Sequence, residues 1–321
     1  TLERYAVFVR ILFTRFPLES AYGGAEIQTL SLMRGLRERG HDVSFLGSCP
    51  VMLDLCERHR IPAKALDIGP PPVSKWNALT FIYKQFVMRK KLKMAFISLL
   101  RPHSVVMLSL SEKLLLTPIA VEHGTSVYWL EHDRIGKWLT LSPWLRRLKK
   151  LSTQVTTICV SLLSKKLYIE LGWPEERVSD IPNGIDMHRF ARHEKDMDQT
   201  KSLHIGCVAR LTRDKGVDLL VRAVQHLPSV QLTIIGTGRD ENNIRDLIDK
   251  LDLKSRVVMQ PSYPELGNFY QFIDVLVLPS RSHDPFGLVA AEAMALGTPV
   301  VVTDSCGIAD YLGKESFVVP A

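Results

Sequence analysis

Short runs of apolar and β-branched residues recur along the chain, each closed by a glycine or proline turn and followed by a stretch with apolar residues every third or fourth position. A brief apolar run bounded by turn residues reads as a strand buried on both faces, and the 3.6-residue spacing reads as a helix. Strands are expected at Tyr5–Thr14, His41–Leu46, Pro118–Thr125, Gln154–Ser161, Val178–Ile181, Ile205–Ala209 and Val275–Pro279, with strand-then-turn runs at Thr233–Gly238 and Val257–Pro261. Helical spacing appears at Leu30, Met33, Leu36 and Arg37, over Leu163–Leu171 and Val217–Leu227, and in the Ala-rich Leu288–Leu296. Strands alternating with helices predict an α/β protein with doubly wound parallel sheets. The loop Pro182-Asn-Gly-Ile-Asp186 and the polar stretch Arg192–Lys201 mark a boundary, giving domains at 1–182 and 183–321.

In such sheets ligands bind beyond the carboxyl ends of the strands, so the loops that follow strands hold the candidate chemistry. Gly23-Gly24 opens the first helix and forms either a phosphate cradle or a plain flexible turn. The absence of G-x-G-x-x-G argues against a nicotinamide or flavin site there. His123-Gly124 closes the run from Pro118, where a histidine at a strand end would point into the ligand crevice; the alternative is a satisfied core histidine. After Ile205–Ala209 come Arg210 and Lys215-Gly216, a guanidinium fork and a point-charge ammonium that together can neutralise a diphosphate. Gly236, Gly238 and the Met259–Ser262 backbone end the neighbouring runs. The most informative stretch is Arg281–Val300, which sets Asp284 and Glu292 eight residues apart across the turn Phe286-Gly287 and the helix opening at Leu288. A helix N-terminus presents unpaired N–H groups that attract phosphate.

These residues carry a family resemblance. Asp284-x(7)-Glu292 is similar to the E-x(7)-E motif of glycosyltransferase family 4, the retaining group also called glycosyl transferases group 1, with Asp standing for the first Glu. Arg210-x(4)-Lys215-Gly216 resembles the R-x(4)-K-G loop of that family, and Gly23-Gly-Ala-Glu26 with Gly40-His-Asp-Val43 resembles its opening. The likeness runs from Ile11 to about Pro320. It implies the GT-B fold, two Rossmann-like doubly wound parallel-sheet domains facing across a cleft, the first for the acceptor and the second for a nucleotide-sugar donor. It also implies metal-independent transfer of a sugar from a UDP- or GDP-type donor to a lipid-linked or cell-envelope saccharide. In that scheme Arg210, Lys215, Gly23, Gly24, Phe286, Gly287 and Leu288 meet the diphosphate, Glu292 the ribose and Asp284 the sugar hydroxyls. His123 stands beside the transferred sugar, and Gly236 and Gly238 border the base. Relatives continue past the strand at Ser316–Val319, so the second domain is expected to lack its final helices. Two alternatives stay open: a same-fold transferase acting on a small cytosolic acceptor, and a regulatory protein that binds nucleotide sugars with weak turnover.

Charge adds a partner to this picture. Residues 1–182 hold 26 Lys+Arg against 16 Asp+Glu, and residues 183–321 hold 15 against 18. No acidic residue lies between Asp67 and Glu112, where Lys75, Lys84, Arg89, Lys90, Lys91, Lys93 and Arg101 fall. Read as a helix from Leu79, one stripe holds Leu79, Ile82, Tyr83, Phe86 and Val87 and is expected to face the core. The other interleaves Phe81, Met88 and Leu92 with Lys84, Arg89 and Lys91, and is expected to face an anionic membrane. A solvated basic helix is the alternative. Nucleic acid is disfavoured because no stacking aromatics interleave on a recognisable module. No run of eighteen apolar residues spans a membrane and the opening residues lack a secretory pattern, so the expected location is cytoplasmic, with a peripheral seat on the cytoplasmic face of the membrane as the further option. Cys49, Cys56, Cys159, Cys207 and Cys306 lack C-x-x-C spacing and read as reduced thiols without metal or disulfide roles. Asp196-Met-Asp198 could hold a divalent cation, but its polar surroundings read as a solvated linker, and the cationic clamp leaves no need for a metal.

Overall fold

The computed structural model describes residues 8–16, 23–69, 72, 75–99, 102–186, 202–313 and 317–321. Residues 5–7 of the first expected strand, the linker stretch with Asp196 and Asp198, and Ser316 lie outside the described residues. The chain divides into two compact units, Thr1–Val160 with Ser164–Ile181, and Ser161–Leu163 with Pro182–Ala321.

The first unit contains β1 (Arg10–Arg15), α1 (Gly24–Glu38), β2 (Asp42–Gly47), α2 (Pro50–Arg58), β3 (Ala63–Ala65), α3 (Lys75–Ser98) and β4 (Ser104–Met107). It continues through α4 (Leu110–Leu115), α5 (Thr117–Glu122), β5 (Ser126–Glu131), α6 (Lys137–Thr140), α7 (Leu145–Ser152), β6 (Thr156–Cys159), α8 (Leu162–Glu170) and β7 (Val178–Asp180). Its seven strands are all parallel in the order β3-β2-β1-β4-β5-β6-β7, so the winding reverses between β1 and β4. Leu12, Phe13, Val105, Met107 and Trp129 are buried on the strands, as helices on both faces of a parallel sheet require.

The second unit contains β8 (Leu203–Val208), α9 (Val217–Gln225), β9 (Val230–Ile235), α10 (Glu241–Lys250), β10 (Val257–Gln260), α11 (Leu266–Phe272), β11 (Val275–Leu278), α12 (Leu288–Ala295), β12 (Val300–Thr303) and β13 (Phe317–Val319). Its six parallel strands run β10-β9-β8-β11-β12-β13, and the winding reverses between β8 and β11. Ile205, Cys207, Val221, Val224, Leu232 and Ile234 form its core.

Two expectations are overturned. Pro118–Thr125 is not a strand; Thr117–Glu122 is helix α5, with Pro118 in its first turn, where the missing N–H costs nothing. The faces of α3 are also exchanged. Phe81, Met88, Leu92, Ala95 and Phe96 join the core, whereas Tyr83 is 79% and Phe86 74% exposed, alongside Trp76, Leu79, Ile82, Val87, Met94 and Ile97. Both faces of this helix are apolar, so spacing alone could not say which one the sheet would cover.

Candidate active site

The second sheet reverses its winding at the ends of β8 and β11, and there the two motifs meet. The loop after β8 is fastened to its neighbour by backbone bonds from Ala209 N to Ile235 O at 3.0 Å, Leu211 N to Thr237 O at 2.9 Å and Asp240 N to Leu211 O at 2.9 Å. Gly236, at φ 142°, lies so close to the Ala209 carbonyl that any Cβ would collide with it, and Gly238 lies likewise against the Leu211 carbonyl. Both expected donor-binding glycines therefore already have a packing role, shaping the loop that carries Arg210. The Arg210 side chain is exposed.

Lys215 ends a short 3-10 turn, Arg213–Lys215, and Gly216 then takes φ 64° to open α9. Gly216 also lies against the Pro279 carbonyl at the end of β11, leaving no room for a side chain. The contact brings Lys215 to Asp284: Nζ and Oδ2 are 2.6 Å apart in a pair whose side chains are 16% and 13% exposed. Ser280 Oγ donates to the same oxygen at 3.3 Å. Backbone bonds from Asp284 N to Ser305 O and from Gly307 N to Asp284 O, both 2.9 Å, hold the carboxylate's own backbone. A cation and an anion expected from the sequence to serve opposite ends of one ligand are thus partners here.

Past Asp284, Phe286 is buried and Gly287, at φ 93°, caps α12. At the start of α12, Ala290 N and Ala291 N donate to the Gly287 carbonyl, and the N–H groups of Leu288 and Val289 are the ones a helix start leaves without an intrahelical acceptor. Glu292 lies on its second turn and accepts a 2.8 Å hydrogen bond from the Tyr270 hydroxyl of α11. Burial, with the nearby Glu292 carboxylate, raises the Tyr270 pKa well above the ordinary value, so the phenol stays a donor and orients the carboxylate. Tyr270 was not foreseeable from motif spacing, because its sequence neighbourhood reads only as an apolar helix.

In the first unit, Gly23 caps α1 in extended backbone and Gly24 begins the helix, at the switch point beside β1. His123 is not at a carboxyl strand end. It caps the end of α5, ahead of β5, where its Nδ1 donates to the Ile119 carbonyl at 2.7 Å and its ring meets Phe96 edge-on at 6.1 Å. The ground for placing it beside a ligand is gone. The histidine at a carboxyl strand end is His132, directly after β5. Burial lowers its pKa to about 4, so it is neutral at pH 7, and its buried Nε2 has no partner among the described residues. The apolar run ending in Glu131-His132 was the available signal.

Ionisable groups gather around that end of the sheet. Arg15 pairs with Glu26 at 2.6 Å, and Lys113 pairs with Glu131 at 2.9 Å with both side chains almost fully buried. Tyr168 adds a 2.8 Å hydrogen bond to Glu131. Glu112 is buried, accepts the Ser109 and Leu108 N–H groups on Oε1, and leaves Oε2 without a partner among the described residues. Burial raises its pKa to about 7, against the lowering effect of the backbone bonds, Lys113 and Arg15. A folded-state value above the unfolded one means that stability is lost as pH rises from 4.5 through 7. Glu112→Gln keeps the capping geometry without the charge. The melting temperature of this variant relative to wild type should therefore climb between pH 5 and pH 8, by the equivalent of about 3 kcal/mol at most. A difference that is flat with pH would show that Glu112 titrates normally.

Among the described residues no group of three or more His, Cys, Asp or Glu is placed to hold a metal ion, and no helix is long and apolar enough to cross a membrane. Asp196 and Asp198 lie outside that set.

Known proteins resemble this chain in fold and in sequence. The Anabaena protein Alr3699/HepE, solved in complex with UDP and glucose, matches with a TM-score of 0.78 over 97% of this chain and 86% of that one, at 18% identity, a likeness of fold alone. The fold is GT-B. The D-inositol 3-phosphate glycosyltransferase of Pseudarthrobacter chlorophenolicus is 34% identical over 173 residues, 48% of this chain and 41% of the relative. The GDP-mannose-dependent monoacylated alpha-(1-6)-phosphatidylinositol monomannoside mannosyltransferase of Corynebacterium glutamicum is 27% identical over 210 residues, 59% of this chain and 52% of that one. The chain spans about half or less of the length of these curated relatives. Residues 189–321 match Glycosyl transferases group 1, and residues 22–189, more than half of the chain, match Glycosyltransferase Family 4. The chain belongs to glycosyltransferase family 4.

Proposed function

We propose that this protein is a retaining, metal-independent glycosyltransferase that moves one sugar from a UDP- or GDP-type donor to a lipid-linked or cell-envelope saccharide at an anionic membrane surface. The observation that carries the reading is the convergence of Lys215 and Asp284 at the switch point of the second sheet, beside the N-terminus of α12 and with Glu292 held by Tyr270. The relative named for phosphatidylinositol monomannoside supports the lipid-linked acceptor class, the relative named for D-inositol 3-phosphate supports the small-acceptor alternative, and the UDP and glucose bound to HepE support the donor class.

Breaking the anomeric C–O bond leaves negative charge on the departing diphosphate. Lys215 exchanges Asp284 for phosphate oxygens, Arg210 adds a second cation, and the first N–H groups of α12 add partial positive charge where the negative charge grows. Asp284, released from Lys215, is then free to accept sugar hydroxyls, while Glu292 accepts the ribose hydroxyls. Asp284→Asn should therefore spare free UDP or GDP, or tighten it by freeing Lys215, while weakening the sugar-bearing donor. Glu292→Gln should weaken the free nucleotide itself, by about 1.5–3 kcal/mol for a hydrogen bond to a charged group. Equal loss of free nucleotide in both variants, measured by calorimetry, would overturn the assignment. Within the first unit, neutral His132 offers a nitrogen at the end of β5 to a hydroxyl of the acceptor. Activity should survive excess EDTA.

The membrane half of the reading rests on α3. Its outward face carries Trp76, Leu79, Tyr83, Phe86, Val87 and Met94, with Lys90 set among them and the exposed Lys84, Arg89, Lys91 and Lys93 at the flanks. Aromatic and aliphatic side chains beside cations suit the headgroup–acyl boundary of an anionic bilayer. The corrected orientation gives the helix a larger apolar outer face than the sequence-based expectation did.

The donor is tested by thermal shift against a panel of UDP- and GDP-sugars. A true donor at 100 times its dissociation constant adds about 2.7 kcal/mol of stability. A panel without any shift would remove the donor site.

A further inference from the structure

We infer that Arg281, with Asp218, is a positioning residue that keeps the Lys215 turn in place when Lys215 leaves Asp284 for a ligand; the inference rests on the proposed diphosphate role of Lys215. The turn Arg213–Lys215 is a single short turn, closed by bonds from Lys215 N to Thr212 O and from Gly216 N to Arg213 O. Arg281 adds anchors of three kinds. Its backbone N–H donates to Asp214 O at 2.8 Å, its Nη1 donates to Arg213 O at 3.1 Å, and its guanidinium forks onto the Asp218 carboxylate, with Nη2 to Oδ2 at 2.6 Å. The second arm of the fork, from Nη1 to Oδ1, completes a bidentate pair. Asp218 lies in the first turn of α9, so the anchor reaches a regular element.

Arg281 also stands in the loop that carries Ser280 and Asp284. The brace thus ties the loop bearing the carboxylate to the turn bearing the ammonium without using either charge. The two loops also meet in the packing of Gly216 on Pro279 and in the Lys215–Asp284 pair, which a diphosphate must open. When that pair opens, the fork keeps the Lys215 backbone in register. The Arg281 hydrogen bond also lowers the Asp218 pKa, so the pair stays charged through neutral pH. Lysine cannot replace the fork, because an ammonium lacks the planar bidentate geometry.

The test is a double-mutant cycle on turnover of a nucleotide sugar. Arg281→Gln and Asp218→Asn should each lower kcat by on the order of 10–10², as small displacements of a catalytic group do, with the donor KM changed much less. Arg281→Lys should restore only part of the loss. In a Lys215→Ala background the same substitutions should cost almost nothing further, because the brace acts through Lys215. Melting curves identify any variant that fails to fold, and the milder Asp218→Asn then carries the cycle. Equal losses with and without Lys215, in folded proteins, would overturn the inference alone. A wild-type chain that neither binds nor turns over any nucleotide sugar would remove the proposed function and the inference with it.

Discussion

Lys215→Ala is expected to lower kcat by on the order of 10²–10³, the usual cost of removing one preorganised group that meets charge developing in the transition state. The loss should fall on kcat more than on the donor KM, since the diphosphate carries more charge on departure than in the ground state. The ion pair sharpens this expectation. Because Lys215 starts bonded to Asp284 at 2.6 Å, ground-state binding must replace a bond already made, and only the surplus charge of the transition state is a clear gain. Arg210→Ala should act in the same direction; its exposed side chain has no ion-pair partner among the described residues, so its effect should divide more evenly between KM and kcat. Stopped-flow or steady-state assays of nucleotide diphosphate release read both constants. Unchanged kcat in both variants would take the clamp out of the mechanism.

The second large effect is expected at α3. Changing Arg89, Lys90, Lys91 and Lys93 together to Glu removes four exposed cations, each contributing roughly 1 kcal/mol on an anionic surface. Partitioning onto phosphatidylglycerol vesicles should fall by on the order of 10³ from that loss alone, while phosphatidylcholine vesicles bind little of either protein. The apolar contribution is separable: Tyr83→Ser with Phe86→Ser should weaken binding at high salt, where the charges are screened. Because the two rings are 79% and 74% exposed, their loss should leave the melting temperature almost unchanged. Co-sedimentation that ignores lipid charge would make α3 a soluble surface and favour a small cytosolic acceptor.

Much of the fold was legible because parallel strands covered on both faces are written as unbroken apolar runs: β2, β6, β8 and β11 fall within two or three residues of their expected bounds. The positions of the second unit's candidate residues in the fold were legible for a similar local reason. Arg210, Lys215, Asp284 and Gly287 lie on the loops that follow β8 and β11, and Glu292 on the second turn of the helix after β11, so the strand order alone brings their segments together. Pro118–Thr125 failed because a short apolar run has the same composition in a buried helix as in a strand, and Pro118 at a helix start was the discriminating residue. That one misreading moved the candidate histidine from His132 to His123. The faces of α3 failed for a different reason. A helix with apolar residues all round has no preferred inner side until the sheet chooses between Phe81, Met88 and Leu92 on one face and Tyr83, Phe86 and Val87 on the other. Partnerships between distant side chains, such as Tyr270 with Glu292 and Arg281 with Asp218, leave no trace in spacing at all.

The central claim is that the site at the ends of β8 and β11 transfers a sugar from a nucleotide donor. Its most direct test is nucleotide diphosphate release from UDP- and GDP-sugars, measured with and without an anionic glycolipid extract as acceptor source, together with mass spectrometry of the extract. One donor should be consumed in step with the appearance of a glycolipid heavier by one sugar, in the presence of EDTA, and Lys215→Ala should lower both signals by on the order of 10²–10³. Tight binding of a nucleotide sugar with no release and no product from any acceptor would contradict it and leave a nucleotide-sugar-binding protein in its place.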